Sequence, residues 1–307
     1  MTKILRTGIL LALGTALISG VSNFVAKLSV TVIKDATLFT FLKNATVGVL
    51  IIGLVVLFVQ WKELRTLQRK DWVRLLTIAV VGGSVPFLLF FNGLQQTSAV
   101  TGSLIHKTLF LWVAILAVWK LKEKVTWLQG VALAALLGGT FALGGFQNFH
   151  LGKSELMILG ATLFWAVENV VAKRTLANLS TLTVVASRMV LGSVILLGVV
   201  AAQGKLGAVG NLSFSQWGWV ALPSLLLFGY VLTWYSALKR APAILVASLL
   251  VPATFITALL SGTFQHAPIS WQSWVNGGLV TFGAVLLVWS ARKTAQHDTH
   301  EATDRPA

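Results

Sequence analysis

The chain has 307 residues, 56% of them hydrophobic and 11% charged. A charged fraction under half the ~25% of soluble domains excludes a soluble globular protein and leaves an integral membrane protein. The net charge of +15 does not point to nucleic acid, because the basic residues fall between apolar runs rather than on one soluble face. The absence of cysteine excludes disulfides and thiolate metal sites.

In chain order, ten apolar runs are predicted as spans, near 8–28, 36–60, 73–93, 98–119, 126–146, 155–173, 181–202, 216–236, 243–264 and 271–291. Each has about the 20 residues a bilayer-crossing helix needs. The first run mimics a secretory signal, but its apolar stretch is too long and ends in no clear cleavage site. The connections at Gln95–Ser98 and Lys239–Pro242 are short enough to make their helices antiparallel neighbours. Counting Lys and Arg by alternating side puts 17 on the side of the termini, 4 on the other and 3 within spans. The positive-inside rule then places both termini in the cytoplasm, as expected for a multi-pass protein of a bacterial inner or plasma membrane. Trp61, Trp72, Trp119, Trp127, Trp217, Trp219, Trp271, Trp274 and Trp289 lie near span ends, as interfacial belts require. Trp112, Trp165 and Trp234 read as core aromatics.

An internal repeat organises these spans. Gly14–Lys27, G-T-A-L-I-S-G-V-S-N-F-V-A-K, aligns with Gly160–Lys173, G-A-T-L-F-W-A-V-E-N-V-V-A-K, with seven of 14 positions identical. Thr37-Leu38 registers with Thr181-Leu182, Gly48 with Gly192, Trp72 with Trp217 and Trp127 with Trp271. The chain is therefore two five-helix halves. Because five is odd, the second half enters the membrane the other way up, an inverted repeat of the kind that recurs in secondary transporters. The halves are expected at 1–147 and 154–293, joined around Gln147–Ser154, with a disordered cytoplasmic tail at 294–307. A mid-chain partner for the first span also argues against its removal as a signal.

The segment G-L-Q-Q-T-S-A-V-T-G-S-L-I, Gly93 to Ile105, is followed by W-K-L-K-E-K-V-T-W-L-Q-G-V-A-L-A-A-L-L-G-G, Trp119 to Gly139. Together with A-L-K-R-A-P-A-I-L-V-A-S-L, Ala237 to Leu249, these resemble the EamA-like members of the drug/metabolite transporter superfamily. Glu123, Thr126, Gln129 and Gly130 match the family's "gE.lt..q..G" turn. The second-half turn Q-H-A-P-I-S-W-Q lacks the Glu. The resemblance implies an all-α integral membrane protein of ten transmembrane helices in two inverted repeats. It also implies a transporter without a cofactor whose cargo is a small organic solute, an amino acid or related metabolite, with efflux as the expected direction.

Charged groups at mid-bilayer cost on the order of 3 kcal/mol even on the lenient insertion scale, so they face a cavity or a partner. The candidates for a solute site are Lys43 and Asn44 in span two, His106 and Lys107 in span four, Glu168 and Asn169 in span six, and Arg188 in span seven. Arg188 aligns with Asn44 in the repeat. His106, Lys107 and Arg188 are read as lining a chamber that accepts a carboxylate or phosphate, with Arg giving a planar two-pronged grip. Glu168 pairs with Lys107 in the empty site, exchanges protons during transport, or ties helices together. Lys43 either faces the chamber or snorkels to the headgroups. Asn44 and Asn169 suit helix-to-helix hydrogen bonds, and His106 suits either a neutral inter-helix contact or a titrating group.

Helix breaks are expected at Gly82-Gly83-Ser84-Pro86 and at Pro252, with Pro242 opening span nine and Gly138-Gly139 and Gly277-Gly278 marking spans five and ten. They serve as hinges or as close-packing points. No phosphate-cradling loop, nucleophile elbow or His-Glu-x-x-His motif is present. The tail motif His297–Glu301 reads as solvated chain rather than a metal site. The partners expected are the solute, the lipid bilayer and a proton or counter-solute, with no nucleic acid and no oligomeric state legible. An intramembrane enzyme using His106 and Glu168 as acid and base is the alternative; a passive channel would need more polar in-span residues.

Overall fold

The computed structural model describes residues 2–144, 152–266 and 269–303. In hydrocarbon every peptide group must be satisfied within its own segment, and each apolar run accordingly forms a helix. These are α1 (Lys3–Ile33), α2 (Ala36–Leu57), α3 (Arg69–Gln96), α4 (Ala99–Leu121), α5 (Trp127–Gly144), α6 (Lys153–Leu176), α7 (Thr181–Ala202), α8 (Phe214–Arg240), α9 (Ala243–Gln265) and α10 (Trp271–Thr303). Among the described residues nine are long and apolar enough to cross a membrane, and the shorter α5 completes ten. The backbone of α10 stays helical through Thr303, past Lys293 and into the segment expected as a disordered tail. Residues 304–307 and 145–151, the latter covering 147–151 of the expected junction between halves, lie outside the described residues, as do Ala267 and Pro268 of the second-half turn.

The packing repeats with the halves exchanged. α1 lies along α8, and its counterpart α6 lies along α3, the counterpart of α8, while α5 packs on its own counterpart α10. The aligned lysines show why the repeat preserves them. Lys27 Nζ donates to the carbonyls of Leu94 and Gln95, at 2.9 and 3.1 Å, at the end of α3. Lys173 Nζ donates to those of Leu238 and Ala241, both at 2.7 Å, at the end of α8. In each half a cation satisfies the orphan carbonyls of a helix C-terminus, where the macrodipole also favours positive charge.

Three further links tie the halves at their ends. Asp35 caps α2 and Ser180 caps α7, each accepting a backbone N–H of the first turn. The loop between α7 and α8 reaches Asp35 through Lys205 at 2.7 Å. The loop between α2 and α3 reaches α7 through Glu63, which accepts from the Ser180 N–H at 2.9 Å, the Ser180 hydroxyl at 2.6 Å and the Thr183 hydroxyl. Glu123, from the family-like turn, accepts the N–H groups of Ala243 and Ile244 at 2.7 and 3.0 Å, capping α9 across the repeat boundary.

Several spans are interrupted, and those in α3, α4 and α7 lie beside residues that line one central space. α3 stops at Val81 and resumes at Val85. α4 breaks at Thr108, and its counterpart α9 breaks across Leu249–Pro252. α7 opens into a π-helical turn over Ser187–Leu191, a feature frequent at functional sites.

Candidate functional site

The break in α3 leaves carbonyls that its own helix no longer satisfies, and side chains from three other helices take them. The Gly82 oxygen accepts from Trp165 Nε1 on α6 at 3.0 Å and from Arg188 Nε on α7 at 3.1 Å. The Gly83 oxygen accepts from Asn44 Nδ2 on α2 at 3.2 Å. Here α3 and α7 touch backbone to backbone: a Cβ on Gly83 would lie 2.0 Å from the Arg188 oxygen, and one on Gly192 would lie 2.7 Å from the Gly83 oxygen. Only glycine permits that approach. Gly139 and Gly277 likewise face packed neighbours, whereas Gly138 and Gly278 face open space.

Above this floor lies a chamber with about 580 Å³ of empty space, part of it continuous with the outside. Its wall includes Lys43, His106, Glu168, Asn169 and Arg188, and its apolar lining is largely aromatic: Phe87, Phe90, Phe91, Trp165, Tyr230 and Trp234.

Lys43 is 3% exposed. Its ammonium sits 4.5 Å from the ring centroids of both Phe87 and Phe91, on the chamber wall. Arg188 lies over Phe87, at 5.4 Å, and over Tyr235, at 5.5 Å. One phenylalanine ring therefore serves two cations, a favourable arrangement once water is excluded. Arg188 Nη1 donates to the Tyr235 hydroxyl at 3.1 Å, and that hydroxyl donates to Glu168 Oε1. Glu168 is thus held by Tyr235 rather than by Lys107. Among the described residues the one ion pair, Lys205 with Asp35, lies outside the chamber, so Lys43 and Arg188 outnumber the single carboxylate there.

His106 packs tilted against Trp165, with centroids 4.8 Å apart, and edge-on to Phe90 at 5.3 Å. Asn169 Nδ2 donates to the Trp165 carbonyl at 2.8 Å. Lys107 is 1% exposed and donates to Ser19 Oγ at 2.7 Å. Ser19 is on the wall and Lys107 stands behind it. Asn44 is likewise behind the wall, committed to Gly83. Of the seven sequence candidates, the structure brings five to one surface and places two in its support.

Sequence reasoning missed Tyr235, the residue that joins Glu168 to Arg188. A signal was present: the chain has two tyrosines, both in span eight. It also passed over Asn23, matched in the repeat, whose Nδ2 donates to Ser103 Oγ at 3.1 Å.

Comparison with known proteins gives three findings. The EamA-like transporter family matches residues 6–145 and 152–289. A Bacillus subtilis (strain 168) protein described as the uncharacterized transporter YyaM is 25% identical over 247 residues, 76% of this chain and 78% of its own. A crystal structure of a protein 19% identical in sequence superposes with a TM-score of 0.72 over 93% of this chain and 97% of its own. At that identity the likeness speaks for the fold alone.

Proposed function

The chain belongs to the EamA-like transporter family, within the drug/metabolite transporter superfamily, and is a multi-pass membrane transporter; from that premise we propose that it moves a small organic solute with an anionic group by alternating access. The solute is an amino acid or related metabolite and the direction is efflux, both assigned from the family resemblance. The membrane is the cell membrane with both termini cytoplasmic, supported by the 17-to-4 division of basic residues. Lys43, His106, Glu168, Asn169 and Arg188 contact the solute, with Lys107 and Asn44 supporting them.

One observation carries this reading. Two buried cations, Lys43 and Arg188, face an aromatic chamber between the halves without a carboxylate ion pair of their own. Buried charge is costly unless paired, and a carboxylate on the cargo supplies the missing counter-charge. Arg188 offers it a planar donor edge and Lys43 a point charge.

The test is counterflow of labelled L-leucine and L-phenylalanine in proteoliposomes. Saturable, trans-stimulated flux is expected in the wild type, with at least an order-of-magnitude loss in Arg188→Gln, as truncating one member of a buried charged contact implies. Linear flux without counterflow indicates a channel, and a chemically altered solute indicates an enzyme; either result rejects the proposal. Wild-type flux in Arg188→Gln removes the anion site.

A further inference from the structure

On the side of the bundle assigned to the cytoplasm, the two halves meet around an open depression with about 820 Å³ of empty space, part of it continuous with the outside. Leu121 and Glu123, from the end of α4 and the turn after it, form one side. Lys173, Arg174, Lys239 and Arg240, from the ends of α6 and α8, form the other. Four cations therefore share this space with one carboxylate. Both oxygens of Glu123 are taken by the N–H groups of Ala243 and Ile244, and among the described residues none of the four cations forms an ion pair.

Each cation is held in place by carbonyls at or near helix ends. Lys173 takes those of Leu238 and Ala241. Lys239 Nζ donates to the Leu179 carbonyl at 2.9 Å, Arg240 Nη1 to that of Ser236 at 2.8 Å, and Arg174 Nη2 to that of Lys120 in the other half. A guanidinium has five N–H donors on three nitrogens, so each arginine is fixed by one nitrogen and keeps two for a ligand.

The repeat separates the charge that the fold needs from the charge that it does not. Lys173 matches Lys27, and both close a helix C-terminus. Continuing the same alignments, Arg174 matches Leu28, Lys239 matches Gln95 and Arg240 matches Gln96. The opposite end of the bundle closes in the same way without those three charges. The positive-inside rule accounts for the side on which they lie. It acts on the number of charges and does not gather them from two helices into one depression.

We propose that this depression binds the phosphate of an anionic phospholipid in the cytoplasmic leaflet. The proposal takes the membrane orientation from above and is independent of the cargo. Basic pockets between helices on this side suit such headgroups, and arginine presents paired donors to phosphate oxygens. The depth favours a lipid over a free anion. Trp119 is exposed, with the Lys120 ammonium 3.4 Å from its ring centroid, and marks the headgroup level, while Leu121, Ala241 and Pro242 add apolar lining. A phosphate seated here bridges the α4–α5 turn of one half and the ends of α6 and α8 of the other.

The test measures binding to the purified full-length protein by native mass spectrometry, with dioleoylphosphatidylglycerol, dioleoylphosphatidylcholine and soluble glycerol 3-phosphate as probes. Phosphatidylglycerol is expected to bind the wild type at least tenfold tighter than either of the others. Arg174→Leu/Arg240→Gln installs the residues that the opposite end carries at the matching positions. It should weaken phosphatidylglycerol at least tenfold, the scale of two basic residues at a membrane surface, and leave phosphatidylcholine unchanged. Arg69→Gln/Lys70→Gln removes two charges on the same side but outside the depression, and should retain wild-type binding. Equal binding of the two lipids by the wild type overturns the proposal. Equal losses in the two double variants do so as well, since charge number and not the depression then decides. Glycerol 3-phosphate binding as tightly as phosphatidylglycerol overturns the lipid as ligand. If Arg174→Leu/Arg240→Gln does not fold, Arg240→Gln alone carries the comparison, and undiminished phosphatidylglycerol binding there overturns the site.

Discussion

Replacing Glu63 by alanine removes a clamp that one half of the molecule places on the other. Glu63 accepts from the Ser180 N–H, the Ser180 and Thr183 hydroxyls and Gln60 Nε2. Each such bond to a charged group contributes about 1.5–3 kcal/mol. The carboxylate is only partly buried, so screening and the entropy of holding the loop remove most of that sum, and a net loss of about 2 kcal/mol is expected. For a chain of this length that corresponds to a melting temperature lower by about 4 °C, measured by intrinsic fluorescence in detergent at pH 7. The effect carries a pH signature. Partial burial pushes the Glu63 carboxyl up, but the hydrogen bonds from Ser180, Thr183 and Gln60 outweigh it and hold the group below its ordinary value. A native value lowered this way means that the stabilisation is complete above the ordinary glutamate value, about 4.3. It fades as pH falls through the lower native value. The gap between wild type and Glu63→Ala should therefore be constant from pH 8 to 5 and narrow below 4. Equal melting temperatures at pH 7, or a gap that widens on acidification, would refute the reasoning.

The paired lysine caps predict matched losses. Lys27→Met and Lys173→Met each strand two carbonyls at a helix end, and each should lower the melting temperature by several degrees, while Lys34→Met, on the exposed turn after α1, leaves it within about 1 °C. Gly83→Ala would place its Cβ 2.0 Å from the Arg188 oxygen. Detergent-extracted protein should then be largely aggregated in size-exclusion chromatography, whereas Gly53→Ala, with nothing within 4 Å, elutes as wild type. Tyr235→Phe takes the donor from Glu168 and a partner from Arg188, a loss of about 1–3 kcal/mol for groups left unsatisfied. Counterflow should fall with little change in membrane level, and unchanged counterflow would show that this hydroxyl does not organise the site.

The fold was legible because membrane helices announce themselves by apolar length and because the repeat preserved residues with a backbone task. Lys27 and Lys173 matched in sequence since both close a helix C-terminus, and that requirement survives inversion. The candidate site was legible only as far as charge is conspicuous in hydrocarbon. Lys43, His106, Glu168, Asn169 and Arg188 stand out in apolar runs and do share a wall. Lys107 stands out equally yet serves behind it, since helical phase decides which of two adjacent residues faces the chamber and α4 breaks at the very next residue. The aromatic lining was hidden, because Phe87, Phe91 and Trp234 look like any other apolar residue in a span. Pairing Glu168 with Tyr235 instead of Lys107 required knowing that α8 passes α6 at that depth.

The fracture in α3 has a mechanical implication. Two adjacent peptide oxygens, those of Gly82 and Gly83, serve as a shared mooring for α2, α6 and α7. None of those three can slide past α3 without releasing its hold there, and a release by Trp165 or Arg188 leaves the other still attached to the same atom. At the Gly82 oxygen one side chain can therefore let go while the other keeps the oxygen satisfied, whereas the Gly83 oxygen depends on Asn44.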